Sequence, residues 1–152
     1  MSSASDRGIG LEEFRRHRHD VLNQLQIVRA LIQMNRTDRA IAALDRLAEW
    51  LQSLGRVQQV LPRTAEAMLW TLASCPHVWV DDIRVEEPPA EEATAQWASF
   101  LSELEEQCAL DAKSLRLKLV LAGDTLQVEL GDAHLNVEAW QIRYPRIRFS
   151  RG

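Results

Sequence analysis

Arg18-His19-Asp20-Val21-Leu22-Asn23-Gln24-Leu25-Gln26 lies inside a strongly periodic helical stretch near the N-terminus. Helix neighbours are three and four residues apart, so His19, Asn23, Gln26 and Ala30 form one stripe. Phe14, Val21, Leu25, Val28 and Ile32 form a second stripe, roughly opposite. The first reads as polar and wet, the second as core. A solvent-facing imidazole followed at once by a carboxylate, with a carboxamide one turn later, has the chemistry of a phosphoryl acceptor. The neutral ring is nucleophilic, and the acid orients it and takes its proton.

Working outward, Met1 to Gly10 is rich in Ser and Gly and is expected to be a loose start. The periodicity predicts a first helix over 11–34. Asn35-Arg36-Thr37-Asp38 supplies turn and N-cap chemistry for a second. In that second helix Ala40, Ile41, Leu44, Leu47, Ala48, Leu51 and Leu54 recur every three or four residues, with an end at Gly55 or at Leu61, before Pro62. Each apolar stripe is wider than a two-helix contact covers, so pairing two hairpins into a four-helix bundle is the economical solution. A homodimer is expected; the alternative is that a third helix over 64–74 caps the hairpin within a monomer.

From Pro62 onward the pattern alternates between helix and strand. Ala65 to Ala73 reads as helix, Val78 to Val85 as strand, and Ala93 to Leu110 as a helix with Trp97, Phe100, Leu101, Leu104 and Cys108 inward. Leu115 to Leu121 and Thr125 to Leu130 flank the turn Ala122-Gly123-Asp124, a hairpin. A last strand over 142–149 carries Arg at alternate positions and is interrupted by Pro145. The fold class is therefore α+β: 1–10 loose, 11–61 a helical hairpin, and 62–152 a small α/β sandwich with helices over one face of a mostly antiparallel sheet.

The 152 residues are 46% hydrophobic and carry a net charge of -4, enough for a core and without a general nucleic-acid footprint. The basic runs Arg15 to Arg18 and Arg143 to Arg151 are short, and the second reads as solvated charge. No run is long enough to span a membrane and no signal-peptide pattern precedes Leu11, so a cytoplasmic protein is expected. Cys75 and Cys108 read as small buried apolar residues. His17 and His19, two apart on a helix, point in different directions and cannot share a metal. His77 and His134 read as structural or exposed.

The segment His19-Asp20-x-x-Asn23-x-Leu25-Gln26, with basic residues before it and a hairpin after it, resembles the phosphoacceptor helix of sporulation initiation phosphotransferase B. It also resembles the citrate- and fumarate-type sensor kinases that share this helical domain. The resemblance is clearest over 14–54. The later layout is similar to the ATP-binding domain of histidine kinases. There the resemblance calls for paired asparagines on a helix and an Asp-x-Gly-x-Gly turn. Here Glu103 and Gln107 stand where the asparagines would, Glu103, Glu105 and Glu106 would repel a triphosphate, and Gly131-Asp132-Ala133 lacks the glycine spacing. The α/β sandwich is thus expected to resemble a degenerate ATPase domain.

What the resemblance implies is a histidine phosphotransferase of a phosphorelay, without ATP-dependent autokinase activity. His19 attacks the aspartyl phosphate of one receiver domain and yields the phosphoryl group to another; Asp20 holds the ring tautomer and Asn23 supports the site. Arg15, Arg16 and Gln26 meet the phosphoryl group and the receiver. The chain needs no metal or cofactor of its own in this reading, because the receiver supplies Mg2+. Two alternatives stay open: a non-catalytic dimeric module that binds or inhibits a kinase or receiver, and a divergent ATP-dependent histidine kinase.

Overall fold

The computed structural model describes residues 2–131 and 135–151, with side chains from residue 10 onward. Two long antiparallel helices open the chain, α1 (Ser2–Gln33) and α2 (Thr37–Val60). A 3-10 turn (Arg63–Ala65) leads into α3 (Glu66–Leu72), and then come β1 (Val78–Glu87), α4 (Glu91–Asp111), β2 (Leu115–Ala122) and β3 (Thr125–Leu130). Helix α5 (Glu138–Arg143) and strand β4 (Ile147–Arg151) complete the order.

Several expectations about local structure are corrected. The start is not loose: helix α1 already runs from Ser2. Asn35 adopts φ 60°, the left-handed setting that ends α1, while Arg36 precedes α2 with no side-chain cap bond. The N-cap chemistry assigned to the 35–38 turn is thus replaced by a left-handed turn, a conformation that Asn tolerates better than most residues. Gly55 does not stop α2, which runs on to Val60. The segment expected as a strand over 142–149 divides into the end of α5, a turn at Pro145 and Arg146, and β4.

The sheet is mixed, not mostly antiparallel. In the order β1-β2-β3-β4, β1 pairs β2 parallel, β2 pairs β3 antiparallel and β3 pairs β4 parallel. Helices α4 and α5 make the two parallel crossovers, which a period-2 reading of single strands cannot reveal. The β2–β3 hairpin turns at Gly123, whose φ of 62° suits a residue without Cβ. Leu115, Leu117, Leu119 and Leu121 alternate with outward Arg116 and Lys118, so one sheet face is apolar. Trp97, Phe100, Leu101, Leu104 and Cys108 of α4, with Met68 and Leu72 of α3, close over that face. Both cysteines are buried, as expected.

Helix α2 lies along the open edge of the sheet. A register shift between Val80 and Asp82 lets both Val80 and Ile83 face the core. At that bulge the Val80 N–H donates to Ser53 Oγ at 2.7 Å, and Arg56 donates to the Val80 carbonyl at 3.2 Å. Arg116 pairs with Asp81 and Glu49 and lies 5.0 Å above the Trp79 ring. Trp79 in turn joins Leu47 and Trp50 of α2 in a small buried cluster. An edge strand that exposes unpaired backbone is prone to add another chain, and α2 removes that hazard.

Candidate functional site

The single apolar stripe expected on α1 is divided in two by the fold. Val21 and Val28 are half-buried, whereas Phe14, Leu25 and Ile32 are exposed together with Leu11 and Leu22. The same holds on α2, where Ala40, Ala43, Leu47 and Trp50 are buried while Ile41, Leu44 and Leu51 are exposed. On each helix the exposed row is displaced in the same rotational sense from the more buried row, by about 60° on α1 and about 90° on α2. In an antiparallel pair, displacement in the same sense puts both rows on one side. The hairpin therefore carries an apolar surface that the described residues leave largely open. Helix α3 packs against both hairpin helices and reaches one end of this surface, where Trp70 meets Phe14 edge-on.

His19 borders that surface. Its side chain is 80% exposed, and a shallow groove along α1 runs past it, lined by Arg15, Arg18, Leu22, Asn23 and Gln26. The predicted polar stripe is thus brought together, and so is one of the two predicted arginines. Arg16 does not line this groove, and its charge acts on Asp20. Arg18 does line it. The signal for it was available, because residues 15, 18, 22 and 26 follow the three-four spacing of one helix face.

Asp20 sits on the inner side of α1, only 27% exposed, with Oδ1 3.7 Å from His19 Nδ1. That separation is an electrostatic contact and exceeds hydrogen-bond length. Burial pushes the Asp20 carboxyl above its ordinary 3.8, against the opposing pull of His19, His17 and Arg16. Asp20 thus lies on the Nδ1 side of the His19 ring.

Beneath Asp20, Glu105 of α4 accepts from the His77 backbone N–H at 2.7 Å and meets His77 Nδ1 at 2.6 Å. Burial raises the Glu105 carboxyl, the two His77 bonds lower it, and Asp20 adds a smaller upward push. His77 is thus structural, in agreement with its reading from sequence; His134 and the residues 132 and 133 of the glycine-poor turn lie outside the described residues. His17 turns away from His19 into the seam with α3, with Nδ1 2.7 Å from the Ala73 carbonyl and its ring edge-on to Trp50 at 5.2 Å.

The α4 positions compared with nucleotide-binding asparagines are engaged within the chain. Glu103 accepts from Arg143 and from Tyr144 Oη, and Gln107 donates to Asp111 at 3.2 Å. The repulsive charge expected of Glu103 is therefore compensated. Among the described residues no group of three or more His, Cys, Asp and Glu is arranged to hold a metal ion, and no helix is long and apolar enough to cross a membrane.

Comparison with known proteins bears on the hairpin. Residues 10–60 match the family described as Sensor_kinase_SpoOB-type, alpha-helical domain. No curated protein and no solved structure matches the chain. The matched segment is about a third of the chain, begins four residues before Phe14 and ends with the last residue of α2. It contains His19, Asp20, Asn23, the flanking arginines and the exposed apolar rows of α1 and α2, and residues 10–60 are thus similar to the SpoOB-type alpha-helical domain.

Proposed function

We propose that the chain is a histidine phosphotransferase of a two-component phosphorelay, with His19 as the nucleophile. The observation that carries this reading is the exposed His19 side chain, which lines a groove with Arg15 and Arg18 within a SpoOB-type segment. In the forward step a lone pair on Nε2 attacks the phosphorus of a receiver's aspartyl phosphate. The N–P bond forms as the P–O bond to the aspartyl carbonyl breaks, and the aspartate leaves as carboxylate. The positive charge that develops on the ring is met by Asp20 beside Nδ1. Arg15 and Arg18 neutralise the phosphoryl oxygens, and Asn23 and Gln26 border the same groove. The reverse step passes the group to a second receiver. An acyl phosphate is already reactive, so alignment and charge neutralisation are the main demands. Mg2+ belongs to the receiver in this reading.

The exposed apolar rows of α1 and α2 support a homodimeric four-helix bundle, which leaves each His19 on the bundle's outer flank. We read the sheet layer as a degenerate counterpart of a kinase ATP-binding domain. The bonds of Ser53, Arg56 and Glu49 to β1 and β2 tie it to α2, and Glu103 and Gln107 are occupied internally. Both features favour transfer between receivers over self-labelling from ATP.

The test is labelled transfer from phosphorylated receiver domains. His19→Gln is expected to abolish labelling while changing stability by no more than about 0.5 kcal/mol, since an outward side chain contributes little packing. Normal labelling of that variant refutes the site. Labelling of the wild type from Mg-ATP alone returns the kinase reading, and no labelling from any receiver leaves the interaction module.

A further inference from the structure

The half of α1 that carries His19 has an anchor at the end of α3. His17 Nδ1 stands 2.7 Å from the carbonyl of Ala73, the residue that caps the C-terminus of α3. A carbonyl only accepts, so Nδ1 carries the proton and donates. Trp50 Nε1 donates to the neighbouring Leu72 carbonyl at 3.4 Å, and the two rings meet edge to face at 5.2 Å. One turn earlier on α1, the Glu13 carboxylate accepts from Ser74 Oγ at 2.7 Å. Phe14 meets Trp70 edge-on at 6.1 Å. The carbonyls that end a helix have no partner within it. Here the imidazole from α1 and the indole from α2 supply two such partners side by side.

We propose that His17 is a positioning residue for His19. It fixes the rotation of α1 against the end of α3, and through it the direction in which the His19 ring faces a docked receiver. The inference rests on the relay reading above. The lever is geometric: His17 and His19 stand about 160° apart around the axis, so a bond on one side sets the azimuth of the other. A helix with its side chains has a radius of about 5–6 Å, so a rotation of about 10° swings the His19 ring by about 1 Å. A misplacement of that size costs up to about a hundredfold in a reaction that depends on alignment.

Full-length His17→Ala and His17→Asn are compared with the wild type; the Asn amide nitrogen places a donor close to where Nδ1 stands. Hydrogen exchange of the amides over 14–19 reads the anchor without any phosphoryl transfer. It is expected to quicken about tenfold in His17→Ala and much less in His17→Asn. Transfer from a phosphorylated receiver that labels the wild type is expected to fall about tenfold or more in kcat for His17→Ala, with KM within about twofold, and to be largely restored in His17→Asn. Labelling by phosphoramidate, a small donor that needs no docking, is expected to stay at the wild-type rate in both.

Unchanged exchange in His17→Ala overturns the anchor. Altered exchange with normal receiver transfer, or an equal loss with receiver and phosphoramidate, overturns the positioning role. A wild-type chain labelled by phosphoramidate but by no receiver sinks the relay reading and the role of His17 with it, while the exchange result still judges the anchor.

Discussion

Replacing Ser53 by Ala tests whether the hairpin and the sheet form one cooperative unit. Ser53 is 1% exposed, and its Oγ accepts the Val80 N–H at 2.7 Å. Val80 is itself fully buried, so water cannot replace the lost acceptor. An unsatisfied buried donor costs about 1–3 kcal/mol. Alanine is the better helix former in mid-α2, which returns a few tenths up to about 0.5 kcal/mol. The net expectation is a loss of about 1–2 kcal/mol, or a fall in Tm of roughly 2–8 °C for a chain of this size. Urea unfolding is the assay: a lower midpoint with an unchanged slope reports lost stability without a change in cooperativity. Exchange of the Val80 amide should rise in parallel. A variant as stable as the wild type would show that α2 does not cap the β1 edge in this way. Two separated unfolding steps would show that the two parts do not fold as one unit.

Leu25→Glu with Leu44→Glu should dissociate the proposed dimer without unfolding the chain, because both residues are exposed within one protomer; sedimentation and circular dichroism together check this, and a monomeric wild type at micromolar concentration refutes the bundle. Asp20→Asn should leave stability at pH 7 equal or higher. The raised carboxyl holds its proton more tightly in the folded state, so its stabilising contribution is complete below 3.8 and is lost as pH rises through the raised folded value. Urea midpoints from pH 3 to 7 should therefore vary less in the variant, which should also transfer phosphoryl more slowly; a less stable variant at pH 7 contradicts the burial account. Ala112 holds φ 53° at the end of α4, so Ala112→Gly should raise stability by about 1 kcal/mol, read as a higher Tm.

The polar stripe proposed to carry the chemistry is legible without any structure, because His19, Asn23 and Gln26 share a face by helical spacing alone and a helix carries that spacing whatever packs around it. The same holds for the inward row of α4 and the alternating leucines of β2, which needed only a period of 3.6 or 2. Periodicity does not say which neighbour covers a given arc of a helix. Phe14 and Leu25 share one broad apolar arc with Val21 and Val28, yet only the last two are half-buried. Arg18 lines the groove beside His19 and Arg16 does not, which sequence spacing alone does not decide. The parallel pairings of β1 with β2 and β3 with β4, the capture of the β1 edge by Ser53 and Arg56, and the seating of His17 on Ala73 are all set by contacts between residues distant in sequence. Local pattern carries the identity of a face, and only the closed tertiary structure selects its partner.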